Sequence, residues 1–151
     1  MELYHFSEKE FTLDKNKKYI LCEPIPMKPA GLWLSDESDY GWKAWCDNND
    51  FGSLNHAYKC VINTDNILHI TTVPQLMDFT KKYPPKPILG FESMAAILRD
   101  QIDWKRVMGE YDGIVITPYQ WEVRSVLWYY PWDCASGCVW GLKAIESIQL
   151  V

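Results

Sequence analysis

The segment Asp112-Gly113-Ile114-Val115-Ile116-Thr117 (DGIVIT) decides which fold class the chain can adopt. Its aspartate and glycine form a turn signal, and three branched apolar residues follow in succession. A short apolar run of this kind between polar residues predicts a buried strand. The fold class then depends on which elements precede and follow this strand along the chain.

Further strands are predicted in two groups that flank a helical middle. Each has the alternating or short apolar pattern that is typical of strands. The first group comprises residues 3–7, 18–22, 31–35, 56–62 and 67–70, and the second comprises residues 123–129, 137–140 and 143–151.

Three helices are predicted in the middle of the chain, each after residue types that cap helix N-termini. They are residues 40–47 after the capping types in 35–39, residues 73–82 after Thr72, and residues 93–108, capped by Ser93 and ended by Gly109. Short strands, then helices, then strands predict one α+β domain that spans residues 1–151.

The composition is that of an ordinary globular domain. Of the 151 residues, 48% are hydrophobic and 23% are charged, and the net charge is −5. No apolar run approaches the roughly 20 residues of a membrane span, and the first residues lack the basic region of a signal peptide. We therefore expect a cytoplasmic protein without membrane contact. The negative charge argues against permanent coating of nucleic acid, but not against brief contact by an enzyme.

The cysteines and histidines do not form a metal-binding pattern. The five cysteines include no Cys-x-x-Cys pair, and the three histidines are scattered through the N-terminal half. Each cysteine is expected to be a small buried residue. One possible function of these residues is that of a thiol hydrolase, which would use Cys134 or Cys138 with a histidine. Eight tryptophans and nine tyrosines supply core residues and can also line a groove for a flat ligand.

The predicted first strand, residues 3–7, carries polar and aromatic side chains in alternation. His5 and Ser7 share one face, and we expect the other face to bury Tyr4 and Phe6. One face of this strand would therefore present an imidazole and a hydroxyl.

The predicted strand at residues 31–35 has a second such face. Alternation places Trp33 and Ser35 on the same side, and Gly31 lets a ligand or another strand approach closely.

Four stretches, taken in chain order, resemble the ADP-ribosyltransferase superfamily. They are residues 3–7, 28–35, 110–116 and 130–148. The sequence Tyr111-Asp112-Gly113-Ile114 is similar to a later strand of the family, and Ala144-Ile145-Glu146-Ser147-Ile148 is similar to its closing phrase. The resemblance implies an ADP-ribosyltransferase-like split β-sandwich with helices packed on the sheets, and NAD as the substrate.

The resemblance also implies which residues contact NAD. His5 and Ser7 would hold the ribose and the nicotinamide amide, and the second strand would lie along the nicotinamide pocket. The implied NAD-contacting residues are Tyr4, His5, Phe6, Ser7, Gly31, Leu32, Trp33, Ser35 and Tyr40.

The sequence departs from the family pattern at the position of the catalytic acid. Family members usually place a glutamate just before the last short apolar strand, and here that position falls on Ser136 or Gly137. Asp133 is the nearest carboxylate, and Glu122 lies in a Gln-Trp-Glu triplet that resembles the family's Gln-x-Glu motif. The implied catalytic residues are therefore His5 with Asp133 or Glu122, and an inactive domain of the same fold remains open.

The function implied by the resemblance is NAD-dependent mono-ADP-ribosyl transfer, a glycosyltransferase reaction. The expected role is that of a toxin or phage-conflict effector that modifies RNA, DNA or protein and is controlled by a cognate antitoxin or inhibitor. The alternative is a non-catalytic, acidic, aromatic-rich module of the same fold that docks to or inhibits a partner protein. That module would show an exposed aromatic patch, whereas the enzyme needs a lined cleft.

Overall fold

The computed structural model describes residues 1–23, 26–86 and 100–151, and in these residues seven strands form one mixed sheet. Along the chain they are β1 (Glu2–Ser7), β2 (Leu32–Ser35), β3 (His56–Ile62), β4 (Ile67–Ile70), β5 (Gly113–Ile116), β6 (Ser136–Val139) and β7 (Ile145–Leu150). Their order across the sheet is β4, β5, β6, β2, β1, β3, β7. β4 and β5 are parallel, and the remaining neighbours pair antiparallel.

Helices complete the described fold and confirm the predicted α+β class. The α-helices are α1 (Trp42–Asn49), α2 (Val73–Lys82) and α3 (Trp104–Glu110), and short 3-10 helices lie at Trp121–Val123 and Leu142–Ala144. Within the described ranges, none of the helices has the length and apolar character needed to cross a bilayer.

The start of α2 shows why the sequence predicted this helix correctly. The Thr72 hydroxyl accepts the N–H of Gln75 at 3.4 Å, and the Gln75 side chain accepts the N–H of Thr72 at 3.2 Å. The two residues form a capping box, which satisfies N–H groups that have no partner inside the helix.

The third predicted helix is only partly comparable with the structure. Ser93, its predicted cap, lies outside the described residues. The described part of the prediction is wrong in its extent, because α3 begins only after Asp103, whose carboxylate accepts the N–H of Arg106 at 3.0 Å. The prediction that Gly109 ends this helix is also wrong, because Gly109 lies inside α3.

Two of the strands predicted from the sequence do not form in the structure. Residues 18–22 form no strand, and residues 123–129 fold into tight turns, in which the N–H of Tyr129 donates to the carbonyl of Val126 at 2.8 Å. Trp128 and Tyr129 are consecutive and both fully buried in one core. A strand would direct them to opposite faces, whereas the turn buries both rings on the same side.

The two faces of the sheet cover two different hydrophobic cores. Ile114 and Cys138 point into the first core, and their chain neighbours Val115 and Val139 point into the second. The first core is rich in aromatic residues, namely Phe79, Tyr83, Trp104, Tyr119, Trp128, Tyr129, Trp132 and Trp140. The second is mainly aliphatic, with Leu3, Leu32, Leu34, Ile62, Ile67 and Ile145 among its members.

Strand pairing brings together residues that are far apart in the sequence. Tyr4 of β1 lies opposite Ser35 of β2, and Ser35 lies opposite Ser136 of β6. Trp33 lies opposite Cys138 in the same β2–β6 pair. Because directly opposed residues point to the same face of a sheet, these side chains share the face of the aromatic core.

Candidate functional site

A cleft of about 320 Å³ opens on this face, beside β1, β2, β6 and the start of α1. Half of the lining residues have aromatic side chains, and polar groups come from three strands and two loops. The residues that line it are Tyr4, His5, Phe6, Lys28, Trp33, Leu34, Ser35, Trp42, Trp132, Asp133, Cys134 and Ser136. The volume lies at the lower end of the range for small-molecule sites, about 300–1,000 Å³.

Sequence-predicted residues contribute about half of this lining. Those at the cleft are Tyr4, His5, Phe6, Trp33, Ser35 and Asp133. Those that do not line it are Ser7, Gly31, Leu32, Tyr40 and Glu122. The structure therefore brings Ser35 and one of the two candidate acids, Asp133, to a single cleft. His5 is also a lining residue, but its ring packs on Phe11 and Tyr58.

The Ser35 hydroxyl organises the wall that α1 contributes. It donates to the Glu37 carboxylate at 2.5 Å and accepts the N–H of Trp42, the first residue of α1, at 2.6 Å. The same Glu37 oxygen accepts the N–H of Lys43 at 3.3 Å. Ser35 is 3% exposed, so its hydroxyl is fully used in holding the N-terminus of α1 beside the cleft.

The loop between β2 and α1 is hydrogen-bonded to the segments that follow β5 and precede β6. The Asp36 carboxylate accepts from the Thr117 hydroxyl at 2.5 Å, and the Asp39 carboxylate accepts the N–H of Tyr119 at 2.7 Å. The carbonyl of Tyr40 accepts the N–H of Ala135 at 2.7 Å. These bonds fix the position of α1 relative to the strand that follows Asp133.

His5 is oriented by the backbone of the neighbouring strand. Its Nδ1–H donates to the carbonyl of Trp33 at 3.0 Å, and its ring packs on Phe11 at 4.4 Å between centroids. Burial lowers the pKa of the imidazole, and the bond to Trp33 partly opposes that shift. His5 is therefore neutral at pH 7, with its Nε2 left as an acceptor.

The two faces of β1 differ from the sequence expectation. Tyr4 and Phe6 were expected to be buried on the far face, and this is wrong because both are half-buried and line the cleft. Tyr4 is opposite Ser35, so it shares the cleft face, and the ring of His5 lies toward the other face. The Ser7 hydroxyl lies away from the cleft and donates to the carbonyl of Lys9 at 2.7 Å.

Asp133 is a half-buried carboxylate at the loop that enters β6. No hydrogen bond or ion pair joins its side chain to another described residue. Burial raises the pKa of Asp133 above its usual value of 3.8, and the nearby cations Lys28 and Arg124 oppose that shift. A carboxylate withdrawn from water without a partner is typical of functional sites.

Lys28 brings a positive charge into the same cleft. Its Nζ lies 5.0 Å above the ring centroid of Trp33. Burial lowers the pKa of Lys28, while the charge of Asp133 opposes that shift. The ammonium and the Asp133 carboxylate therefore lie close enough to influence each other, yet they form no direct ion pair within 4.0 Å.

Tryptophan rings enclose the cleft on two sides. Trp132 is fully buried and meets Trp33 edge to face at 4.7 Å between centroids. Trp42 stacks on Trp45 at 4.8 Å, with the two rings almost parallel at 8°. The Nε1 of Trp132 is a buried donor without a partner among the described residues. These walls favour a flat ring and reduce the access of water to the half-buried Asp133.

Glu122 does not share this environment. It is exposed in the 3-10 helix and does not line the cleft. The glutamine of its triplet, Gln120, is 6% exposed and donates to the carbonyls of Pro118 at 2.6 Å and Thr71 at 3.2 Å. Gln120 therefore supports the turn itself, and Trp121, between the two, is 49% exposed.

Gly31 and Leu32 are explained by strand packing. A Cβ on Gly31 would lie 2.5 Å from the Sγ of Cys138 and 2.8 Å from the carbonyl oxygen of Val139. The close approach expected at Gly31 is therefore that of β6. Leu32 points into the aliphatic core on the other face.

Four of the five cysteines are buried, as expected from the sequence, whereas the expectation is wrong for Cys22, which is exposed. Cys134 lines the cleft, and burial raises its pKa to about 12. Burial also raises the pKa of Cys138. A nucleophilic thiol needs a lowered pKa, so the structure gives no support to a thiol hydrolase. In the part of the chain that the structure describes, no group of three or more His, Cys, Asp or Glu residues could hold a metal ion.

Lys28, Trp42 and Ser136 are lining residues that the sequence did not predict. Lys28 lies in the loop that leads into β2, between Pro26 and Pro29, and has no local signal of a site. Trp42 was assigned to the predicted helix alone. Ser136 reaches the cleft only because β6 pairs with β2, and that pairing joins segments about 100 residues apart.

Known proteins offer no further guide to this site. Comparison of the chain with protein-family models, with curated proteins and with solved structures finds no match in any of the three. The functional assignment therefore depends on the chemistry of the cleft.

Proposed function

We propose that the chain is an NAD-dependent mono-ADP-ribosyltransferase that binds the nicotinamide–ribose part of NAD in the cleft. The observation that carries this proposal is Asp133, a carboxylate without a partner among the residues that the structure describes, held in an aromatic cleft beside Ser35 and Trp33. A volume of about 320 Å³ suits a heteroaromatic ring with its sugar, so the adenosine part would extend beyond the cleft.

The reaction places a positive charge on the ribose. The bond between ribose C1′ and the nicotinamide nitrogen breaks, and its electron pair leaves with nicotinamide. The resulting oxocarbenium-like ribose is attacked at C1′ by a nucleophile of the acceptor, which releases its proton. A carboxylate fixed in a site of low polarity stabilises this charge far more than water does. Asp133 supplies that carboxylate in the proposal.

The aromatic walls supply the remaining requirements. Trp33 and Trp42 offer flat apolar surfaces for the nicotinamide ring, and they reduce the access of water that would hydrolyse the oxocarbenium ion. His5 holds the carbonyl of Trp33, and Ser35 holds the N-terminus of α1. Both act on the walls of the cleft.

The remaining parts of the assignment belong to the same proposal. They are the ADP-ribosyltransferase-like split β-sandwich, a cytoplasmic location, an RNA, DNA or protein acceptor, and a toxin or phage-conflict role with a cognate antitoxin or inhibitor. The resemblance of residues 3–7, 28–35, 110–116 and 130–148 to the superfamily supports them.

One observation favours the alternative of a non-catalytic binding module. Phe51, Trp121 and Tyr130 are 53%, 49% and 63% exposed, which is unusual for large aromatic side chains. Such rings are common at protein interfaces. The module would bind a partner through these rings and leave NAD unchanged.

The test measures two products from NAD that is radiolabelled in its adenylate half. Released nicotinamide is quantified by chromatography, and label transfer is followed on RNA, DNA and a protein extract. We expect Asp133→Asn to lower both by about 100- to 1,000-fold. Glu122→Gln is the matched control, because it removes the other candidate carboxylate without touching the cleft, and it should keep full activity.

The outcomes separate the candidates. Absence of nicotinamide release and transfer, together with no NAD binding by calorimetry, would refute the transferase and favour the binding module. An inactive Glu122→Gln beside an active Asp133→Asn would assign the acid to Glu122.

A further inference from the structure

Lys28 is a cation that the proposed chemistry at Asp133 does not use. Its side chain lines the cleft, and its Nζ lies above the ring of Trp33. No carboxylate of the described residues lies within ion-pair distance of it. The cation–π contact with Trp33 therefore supplies its nearest defined interaction.

Placing a positive charge such as that of Lys28 in a cleft is unfavourable unless an anion binds beside it. Removing an ammonium group from water is unfavourable when the charge is left unpaired. Asp133 is close enough to affect Lys28 electrostatically but does not contact it. The cleft thus contains one negative and one positive side chain that are held apart, a distribution suited to a ligand with separate cationic and anionic parts.

The nicotinamide nucleotide half of NAD has this distribution. Its nicotinamide ring and C1′ carry the positive charge, and its 5′-phosphate, at the other end of the ribose, carries the negative charge. We propose that Lys28 binds the phosphate next to the nicotinamide ribose and so makes the cleft specific for the phosphorylated nucleotide over the free nucleoside. This inference rests on the proposed function, because it takes the nicotinamide half of NAD as the ligand.

The geometry assigns opposite roles to the two charged side chains. Asp133 faces the charge that develops at C1′, whereas Lys28 binds a phosphate that is equally charged before and during the reaction. Loss of Lys28 should therefore weaken binding and raise KM, and it should leave kcat largely unchanged. Loss of Asp133 should mainly lower kcat.

The experiment compares binding of nicotinamide mononucleotide and nicotinamide riboside by calorimetry, because these compounds differ by a single phosphate. The wild-type protein should bind the mononucleotide about 10- to 100-fold more tightly, as expected for one charge-assisted contact. In Lys28→Met, which keeps the length of the side chain over Trp33, this preference should disappear while riboside affinity is retained. Lys28→Arg should restore part of the preference.

Arg124→Gln is the matched control. Arg124 is also a cation that influences Asp133 and lies over an aromatic ring, 5.9 Å from the centroid of Trp121, but it does not line the cleft. Its removal tests whether any positive charge near Asp133 would suffice. The phosphate preference should persist in this variant, and circular dichroism should show all variants folded.

The outcomes separate this inference from the proposed function. Equal affinity of the wild type for both compounds, binding of neither, or an unchanged preference in Lys28→Met would overturn the role of Lys28. Transfer from NAD with the same KM in Lys28→Met would also overturn it, and the transferase would stand. Phosphate preference that depends on Lys28 without nicotinamide release would support the role of Lys28 and refute the transferase.

Discussion

Replacing Ser35 with alanine should destabilise the fold by removing the bonds that hold α1 beside the cleft. The Ser35 hydroxyl accepts the N–H of Trp42 at 2.6 Å and donates to the Glu37 carboxylate at 2.5 Å. Alanine fits the same space but can make neither bond. The Trp42 N–H then has no partner at the first turn of the helix, and the Glu37 carboxylate keeps only its longer bond to Lys43.

The size of the effect follows from the burial of each group. A buried N–H left without a partner costs about 1–3 kcal/mol, and the lost bond to the half-exposed Glu37 carboxylate adds about 1 kcal/mol. The free energy of unfolding should therefore fall by about 2–4 kcal/mol in Ser35→Ala. For a chain of this size, each kcal/mol lowers Tm by about 2–4 °C, so Tm should fall by about 5–15 °C.

Ser38→Ala provides the matched control in the same loop. The Ser38 hydroxyl also donates to a carboxylate at 2.5 Å, that of Asp36, but Ser38 is exposed and water can replace the bond. We expect a change of no more than about 0.5 kcal/mol. Urea and thermal unfolding of both variants, followed by tryptophan fluorescence and circular dichroism, measure the difference. A loss below about 1 kcal/mol in Ser35→Ala, or equal losses in the two variants, would refute this account of the cleft wall.

The remaining predictions concern packing, thiol reactivity and pH. Gly31→Ala should lower the free energy of unfolding by about 1–3 kcal/mol, since its Cβ would lie 2.5 Å from the Sγ of Cys138. Gly109 lies in a helix with open space around it, so Gly109→Ala should raise the free energy of unfolding by about 0.5–1 kcal/mol. Thermal melts measure both changes. Titration of the native protein with a thiol reagent near neutral pH should modify Cys22 quickly, and the other four cysteines should react only after unfolding, because they are buried. Nicotinamide release should require ionised Asp133, and it should be lost as the pH falls through the raised pKa of this residue. A pH–rate profile whose acid limb lies at or below the ordinary aspartate value of 3.8 would contradict this last prediction.

The sequence predicted those parts of the fold that depend on local patterns. β1, β2, β3 and β5 show period-two or continuous apolar runs, and the start of α2 is marked by Thr72 and Gln75. Residues 123–129 have the apolar content of a strand, but their two largest side chains must reach the same core, and the chain therefore turns. Such a requirement comes from tertiary packing and has no local signal.

The candidate site was predictable to the extent that it lies on two strands and one loop. Trp33, Ser35 and Asp133 were selected from the sequence, and all of them line the cleft. The use of the Ser35 hydroxyl could not be predicted, because its partner Glu37 and the N–H of Trp42 meet it only when the loop folds back. Lys28 was missed for a similar reason, since a lysine in a proline-rich loop is usually solvated.

The charges of the cleft oppose the stability of the fold, and this supports a binding or catalytic role for them. The pKa of Asp133 is raised in the folded state, so ionised Asp133 reduces stability at neutral pH, and this cost fades as the pH falls through the folded pKa toward the unfolded value. The pKa of Lys28 is lowered in the folded state, so the charged side chain also reduces the stability of the fold at pH values below this folded pKa. The loss of stability fades as the pH rises through the folded pKa toward the pKa of the unfolded state. Apolar or amide residues at both positions would remove these costs. Residues that weaken the fold and yet face a common cleft are best explained by a ligand that interacts with both charges.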